Sequence, residues 1–171
     1  MTDGAATVLA QLQARRETLA TAESLTGGLL GAAITSVSGA SRSFRGGVIA
    51  YATELKATLA GVSVTTLAEV GPVASRTAAE MAIGVRERLG ADWGLALTGV
   101  AGPDVQDGHP VGQVFIGISG PDGTTTAELR LDGDRSTVRR RCVAEALAAL
   151  SAALDRARAV PGSPRPARQE T

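Results

Sequence analysis

A single lysine, Lys56, occurs in this chain, and a single tyrosine, Tyr51, stands five residues before it. A lysine amine becomes a usable base when burial or neighbouring positive charge strips its proton, and a base beside a hydroxyl makes a nucleophile. The serine best placed to receive such help is Ser24, in TAESLTGG (residues 21–28), where a short β-branched segment gives way to helical periodicity. A strand-to-helix bend presents its serine outward, although serines cap helices far more often than they attack, and Thr26 is itself a candidate cap. Gly27 and Gly28 would expose backbone N–H groups at a helix start, where an oxyanion or a phosphate is drawn in; equally, they would let the helix pack closely. Tyr51, at the end of one predicted element, could relay a proton between Lys56 and Ser24. The helix start beside Lys56 disfavours its cation by roughly 0.3–1 kcal/mol. Against these roles stand ordinary ones: Lys56 solvated beside Glu54 or Glu69, and Tyr51 packed at a strand end. In GDRSTVRR (residues 133–140), Arg135 sits at the mouth of the last helix, with Arg139 and Arg140 one turn on. Arginines there suit a phosphate held by guanidinium forks, or simply a solvated basic face.

Competing chemistries fail on counting. The one histidine, His109, lies among turn-forming residues with nothing tying it to Ser24, and reads as exposed and uninvolved. With one cysteine, Cys142, there is no internal disulfide, and a zinc site would rest on one Cys and one His. Basic and acidic residues balance at 17 each and aromatics make up 2%, too little field and too few rings for nucleic acid. No apolar run reaches the roughly 20 residues a membrane span needs, and no signal segment opens the chain, so a cytoplasmic protein is expected.

The elements that must position these residues follow from periodicity. Residues 5–16 predict a first helix, 18–22 a short strand and 25–34 a second helix. FRGGVIAYA (44–52) predicts a strand in which Gly46 and Gly47 mark a bulge or a close backbone approach. Residues 53–60 predict a helix capped by Thr53 and stopped by Gly61, and 71–90 the strongest helix, with Pro72 near its start. WGLALTGVAGP (93–103) reads as a buried strand feeding a loop. Residues 112–120 and 124–131 form a hairpin across Pro121, Asp122 and Gly123, and 137–159 the last helix. With 44% apolar residues, the expectation is one domain over 1–159 and a Pro-rich, disordered tail over 160–171. The domain is a three-layer α/β/α fold with a mixed sheet of about five strands, and ligands collect at the carboxyl ends of such strands.

Six segments resemble, in order and spacing, the C-terminal domain of the competence-damage protein CinA: TAESLTGG, VSGASRSFRGGVIAYATELK, GPVASRTAAEMAIG, LTGVAGPD, PVGQVFIGI and GDRSTVRR. That family includes nicotinamide-nucleotide amidohydrolases, the NMN deamidases. The resemblance covers residues 5–154 and implies hydrolysis of the carboxamide of nicotinamide mononucleotide to nicotinate mononucleotide and ammonia, with no metal and no cofactor. Carried over by position, it makes Ser24 the nucleophile, Lys56 its base and Tyr51 the intermediary. It places Thr26, Gly27, Gly28, Ser41, Thr98, Gly99 and Arg139 around the substrate and Arg135 on its phosphate. The expected partner is a small nucleotide rather than nucleic acid or membrane, and small-residue faces on the last helix fit a homo-oligomer. Two departures stand out: Leu25 replaces the family's usual Cys, and the loop from Asp104 to Pro110 is shorter than usual. A nucleotide-binding or assembly module without turnover, or an amidase for another small amide, are the alternatives.

Overall fold

The computed structural model describes residues 2–157; the expected tail at 160–171 and the last residues of the expected final helix lie outside them. Six helices and five strands follow in the order α1 (Thr2–Arg15), β1 (Leu19–Glu23), α2 (Leu29–Thr35), β2 (Phe44–Ile49), α3 (Thr53–Thr58), α4 (Val64–Val70), α5 (Ser75–Arg88), β3 (Trp93–Gly99), β4 (Gln113–Gly120), β5 (Gly123–Arg130) and α6 (Arg135–Arg156). The sheet runs β2-β1-β3-β4-β5. Its first three strands are parallel, while β4 and β5 turn back as an antiparallel hairpin. This is the three-layer α/β/α architecture with a five-stranded mixed sheet that the helix-strand alternation predicts.

The two faces of the sheet differ in side-chain size, and that difference sets the layers. On one face Leu19, Leu95, Leu97, Ile116 and Ile118 meet Val8, Leu9 and Leu12 of α1, Leu30 and Ile34 of α2, and Val138, Leu147 and Leu150 of α6. Each such fully buried aliphatic side chain contributes about 1.5–3 kcal/mol. On the other face stand Ala20, Ala22 and Ala96, with Gly94 and Gly117 between them. A Cβ on Gly94 would meet the Ala82 carbonyl of α5 at 2.0 Å, and one on Gly117 the Ala78 carbonyl at 2.1 Å. The small residues therefore let α5 lie almost on the backbone of β3 and β4.

Gly46 and Gly47 mark both features expected of them. The β1/β2 register shifts between Leu19 and Ala20, and a Cβ on Gly47 would run into Thr21 Oγ1 at 2.2 Å. Other local expectations need correction. Helix α2 begins at Leu29 rather than Leu25, because Leu25–Gly28 forms a turn that ends on two left-handed glycines, Gly27 at φ 55° and Gly28 at φ 96°. Thr53 is the first residue of α3 and not its cap; that place belongs to Ala52, which makes no capping bond. The strong helix starts at Ser75 rather than Gly71, because Ala74 is still extended as its N-cap; before it lies α4, a seven-residue helix not among the expected elements, capped by Ser63, whose side chain accepts from the Thr66 N–H. No helix among the described residues is long and apolar enough to cross a membrane.

Candidate active site

The three parallel strands end side by side, and the loops that leave them carry the chemistry. Ser24 follows β1, Tyr51 and Lys56 follow β2, and Gly99 to Gly102 close β3. They line one cleft of about 160 Å3, together with Leu25, Pro72, Val73, Asp104, Gln106 and Arg135.

At its floor, Lys56 Nζ lies 2.9 Å from Ser24 Oγ and donates to the Ala50 carbonyl at 3.1 Å. Lys56 is 2% exposed and Ser24 8%. Burial lowers the lysine pKa from 10.5 to about 8, against a smaller opposing pull from Glu54. The cause is thus desolvation rather than the helix start, since Lys56 occupies the last turn of the six-residue α3. Glu54 pairs with it only at long range, and Glu69 is bonded elsewhere, to Arg76. In its neutral form the amine offers a lone pair to the Ser24 hydroxyl, which is what a general base requires.

Tyr51 does not stand between them. Its ring is 58% exposed, and its hydroxyl accepts from Arg135 Nη2 at 2.9 Å. Arg135 also donates through Nη1 to the Gly102 carbonyl at 2.7 Å. The tyrosine and the arginine therefore pair across the cleft mouth, one helical turn before Arg139.

Three sequence-based assignments change once hydrogen bonds are counted. Gly28 N–H donates to the Glu23 carboxylate at 3.0 Å, as do Leu30 at 3.0 Å and Gly31 at 2.8 Å, and Gly27 N–H donates to the Ser24 carbonyl. The glycine donors are satisfied by the chain itself and are not open to an anion. Arg139 donates to the carbonyls of Leu25 and Thr26 at 3.0 and 2.7 Å, so its guanidinium clasps the Ser24 turn from behind. Ser41 is exposed in the short 3-10 turn Ala40–Arg42 and borders a different groove with Thr35 and Phe44.

Thr98 and Thr26 are fully buried. Thr98 Oγ1 donates to the Pro72 carbonyl at 2.7 Å, holding Pro72 and Val73 against the cleft, which Gly99 lines directly. His109 is half-buried rather than exposed, because its ring meets Phe115 edge to face and Nδ1 lies 3.0 Å from Gln113 Oε1. Cys142 is buried, its thiol pushed up to about 12, chiefly by desolvation.

Sequence reasoning missed Glu23 and the pocket roles of Asp104 and Gln106. The signal for Glu23 was present: an acid a few residues before a helix start complements the first-turn N–H groups.

A buried amine set against a serine, with no histidine beside them, stands at the carboxyl ends of parallel strands in a three-layer α/β/α domain. Within the proteins of this fold, the chain belongs to the CinA C-terminal domain family, which residues 1–154 match. It is 57% identical over 140 residues to a CinA-like protein of Frankia casuarinae, covering 82% of this chain and 32% of that protein. To a CinA-like protein of Synechococcus elongatus it is 49% identical over 146 residues, covering 84% and 35%. The chain thus spans about a third of the length of these curated relatives. Among solved structures, the competence damage-inducible protein A of Klebsiella pneumoniae superposes with a TM-score of 0.88 at 35% identity, covering 91% of this chain and 97% of that one. The competence/damage inducible protein CihA of Agrobacterium tumefaciens gives 0.85 at 32% identity, covering 91% and 95%.

Proposed function

We propose that this chain is an amidohydrolase that removes ammonia from the carboxamide of nicotinamide mononucleotide. The observation that carries this reading is the 2.9 Å contact between Lys56 Nζ and Ser24 Oγ in a dry site. In the first half-reaction Ser24 Oγ attacks the carboxamide carbon while its proton passes to neutral Lys56. Collapse of the tetrahedral intermediate breaks the C–N bond, and Lys56 returns the proton to the departing nitrogen as ammonia. Water then attacks the seryl ester, again giving its proton to Lys56, and as the ester C–O bond breaks that proton returns to Ser24 Oγ and nicotinate mononucleotide leaves. Arg135 supports a phosphate at the cleft mouth: two of its five guanidinium N–H donors are spent on Gly102 and Tyr51, and exchange of the Tyr51 bond for a phosphate oxygen is favoured by charge. In this reading proton transfer runs directly between Ser24 and Lys56, and Tyr51 serves the nucleotide end.

One observation favours a second substrate class. Asp104 lines the same cleft as Arg135, and a carboxylate there opposes a phosphate, as suits a smaller uncharged amide. Ammonia release separates the readings, measured with nicotinamide mononucleotide, nicotinamide and glutamine on wild type, Ser24→Ala and Lys56→Ala. Release from the mononucleotide, lost by roughly 1000-fold or more in both variants, is the expected result. Release from another amide alone supports the second class. Calorimetric binding of the mononucleotide with no product from any amide would mean a binding module, and would overturn the enzymatic reading.

A further inference from the structure

The turn that carries Ser24 spends almost every backbone donor it has. Ser24 N–H goes to Leu97 O, Gly27 to Ser24 O and Leu29 to Thr26 O, while Gly28, Leu30 and Gly31 converge on Glu23. Two remain. The N–H groups of Leu25 and Thr26 donate to nothing among the described residues, although Leu25 is 4% exposed and Thr26 fully buried. Thr26 leaves its Oγ1 buried and unpartnered as well. Buried N–H groups without partners are rare because each forfeits a hydrogen bond it had in water, and these two directly follow the nucleophile, where acyl-transfer sites bind negative oxygen.

We propose that the Leu25 and Thr26 N–H groups form the oxyanion hole for the carbonyl attacked by Ser24, and that Arg139 is the positioning residue that holds and polarises them. The proposal rests on the reading of Ser24 as nucleophile. Each donor belongs to a peptide whose carbonyl is already engaged on its far side. The Ser24 carbonyl, in one plane with the Leu25 N–H, accepts from Gly27. The Leu25 carbonyl, in one plane with the Thr26 N–H, accepts from Arg139 Nε at 3.0 Å. A charge-assisted bond at the oxygen end of a peptide draws electrons from its N–H end and strengthens that donor. Arg139 Nη2 on the Thr26 carbonyl at 2.7 Å fixes the next peptide, so the guanidinium fork sets the tilt of the turn. Because a trans peptide points its N–H opposite to its C=O, carbonyls held towards Arg139 turn the Thr26 N–H away from it. As Ser24 Oγ adds to a carbonyl carbon, the π pair moves to oxygen, and that oxyanion is what the two donors meet.

The test uses a probe that needs no cognate substrate. A small alkyl fluorophosphonate is attacked by a serine Oγ, forming an O–P bond and releasing fluoride, with the phosphoryl oxygen taking the developing charge and the serine proton passing to the base. Labelling of Ser24 is followed by intact mass and peptide mapping across pH 6–10 for wild type, Arg139→Lys and Arg139→Gln, with thermal unfolding of each. Lysine keeps an aliphatic stem, the charge and N–H donors but not the planar fork, and thermal unfolding checks that it folds. The expected result is a plateau rate lowered roughly 10- to 100-fold in both variants, while the rise with pH keeps its inflection near 8. An unchanged plateau rate in either folded variant overturns the oxyanion role of Arg139 and leaves Ser24 and Lys56 standing. A lower rate with a displaced inflection shows that Arg139 acts through Lys56, and overturns it too. No labelling of wild-type Ser24 overturns the nucleophile, and the hole with it.

Discussion

Replacement of Lys56 by methionine should make the protein more stable at neutral pH while abolishing its chemistry, and the size of the gain should depend on pH in a set way. The fall from 10.5 to about 8 corresponds, at about 1.4 kcal/mol per pH unit, to roughly 3 kcal/mol of opposition to the buried ammonium. Between those two pH values the unfolded chain holds a proton on Lys56 that the folded chain has released, so folding is favoured progressively as pH rises across the window. Below pH 8 both states are protonated and the opposition is present in full. Methionine fills the volume of the stem without charge, but it leaves the Ala50 carbonyl without its donor and Ser24 without its partner, a loss of about 1–2 kcal/mol. The Met variant should therefore exceed wild type by about 1–2 kcal/mol at pH 7, and the difference should shift by roughly 2–3 kcal/mol towards wild type by pH 10, so that wild type becomes the more stable protein there. Urea unfolding of both proteins at the two pH values measures it, and taking the difference cancels every other titrating group. On the catalytic side, kcat/KM of wild type should climb about tenfold per pH unit up to about 8 and then level. A stability difference that stays constant from pH 7 to 10 would refute the claim that burial holds this amine near neutrality.

Three further outcomes follow from the same geometry. Glu23→Gln replaces one of the two oxygens that accept from Gly28, Leu30 and Gly31 by an amide donor facing an N–H; the cost should be about 3 kcal/mol, read as a Tm lower by roughly 6–12 °C, and a Tm within about 2 °C of wild type would mean that the carboxylate does not anchor the turn. Gly117→Ala drives a methyl to 2.1 Å from the Ala78 carbonyl, so α5 must lift; circular-dichroism melts should show a loss of about 1–3 kcal/mol or more, and no loss would contradict the close seating of α5. Tyr51→Phe removes the hydroxyl that Arg135 holds and leaves the Ser24–Lys56 contact alone; steady-state kinetics should show KM rising while kcat falls less than about tenfold, whereas a kcat collapse matching that of Lys56→Ala would put the phenol in the proton path.

The fold was largely legible because its strongest signals are periodic. Ala78, Met81, Ala82 and Val85 mark α5 without ambiguity, and the continuous apolar run from Trp93 marks a strand buried on both faces. Helix α4 escaped because seven residues give less than two full turns of pattern, and only Ser63 before Val64 and Leu67 announced it. Gly27 and Gly28 were expected at the helix start with free donors, yet the Gly27 N–H is spent on the Ser24 carbonyl and the Gly28 N–H on Glu23. Whether an N–H is free depends on what lies within 3 Å of it, and glycine content says nothing of that. Arg139 was expected at a phosphate because basic residues are unusual near a helix start. Its true partners are carbonyls more than a hundred residues away in the chain, and no local pattern encodes them. Lys56 was singled out for being alone, but its burial could not be read: in TELKAT it looks like the polar side of a surface helix, and only the fold sets its amine against Ser24 and the Ala50 carbonyl, out of solvent.

The Ser24 turn is anchored by a carboxylate, and a carboxylate next to Lys56 would stabilise the ammonium and spoil the base. The chain resolves this conflict through the period of a β-strand. Glu23 and Ser24 are consecutive at the end of β1, so their side chains leave on opposite faces of the sheet. Glu23 points to the α2 and α6 side, where three N–H groups absorb its charge and the residual field reaches the Cys142 thiol. Ser24 points to the α3 side and meets Lys56, whose one resolved acidic influence is the more distant Glu54. The same alternation that puts Leu19 and Ala20 into different cores therefore keeps the anchoring charge and the base apart by the thickness of the sheet. Moving either residue by one position would bring the two to one face, so under the proposed mechanism the Glu-Ser order at the strand end serves the chemistry as well as the fold.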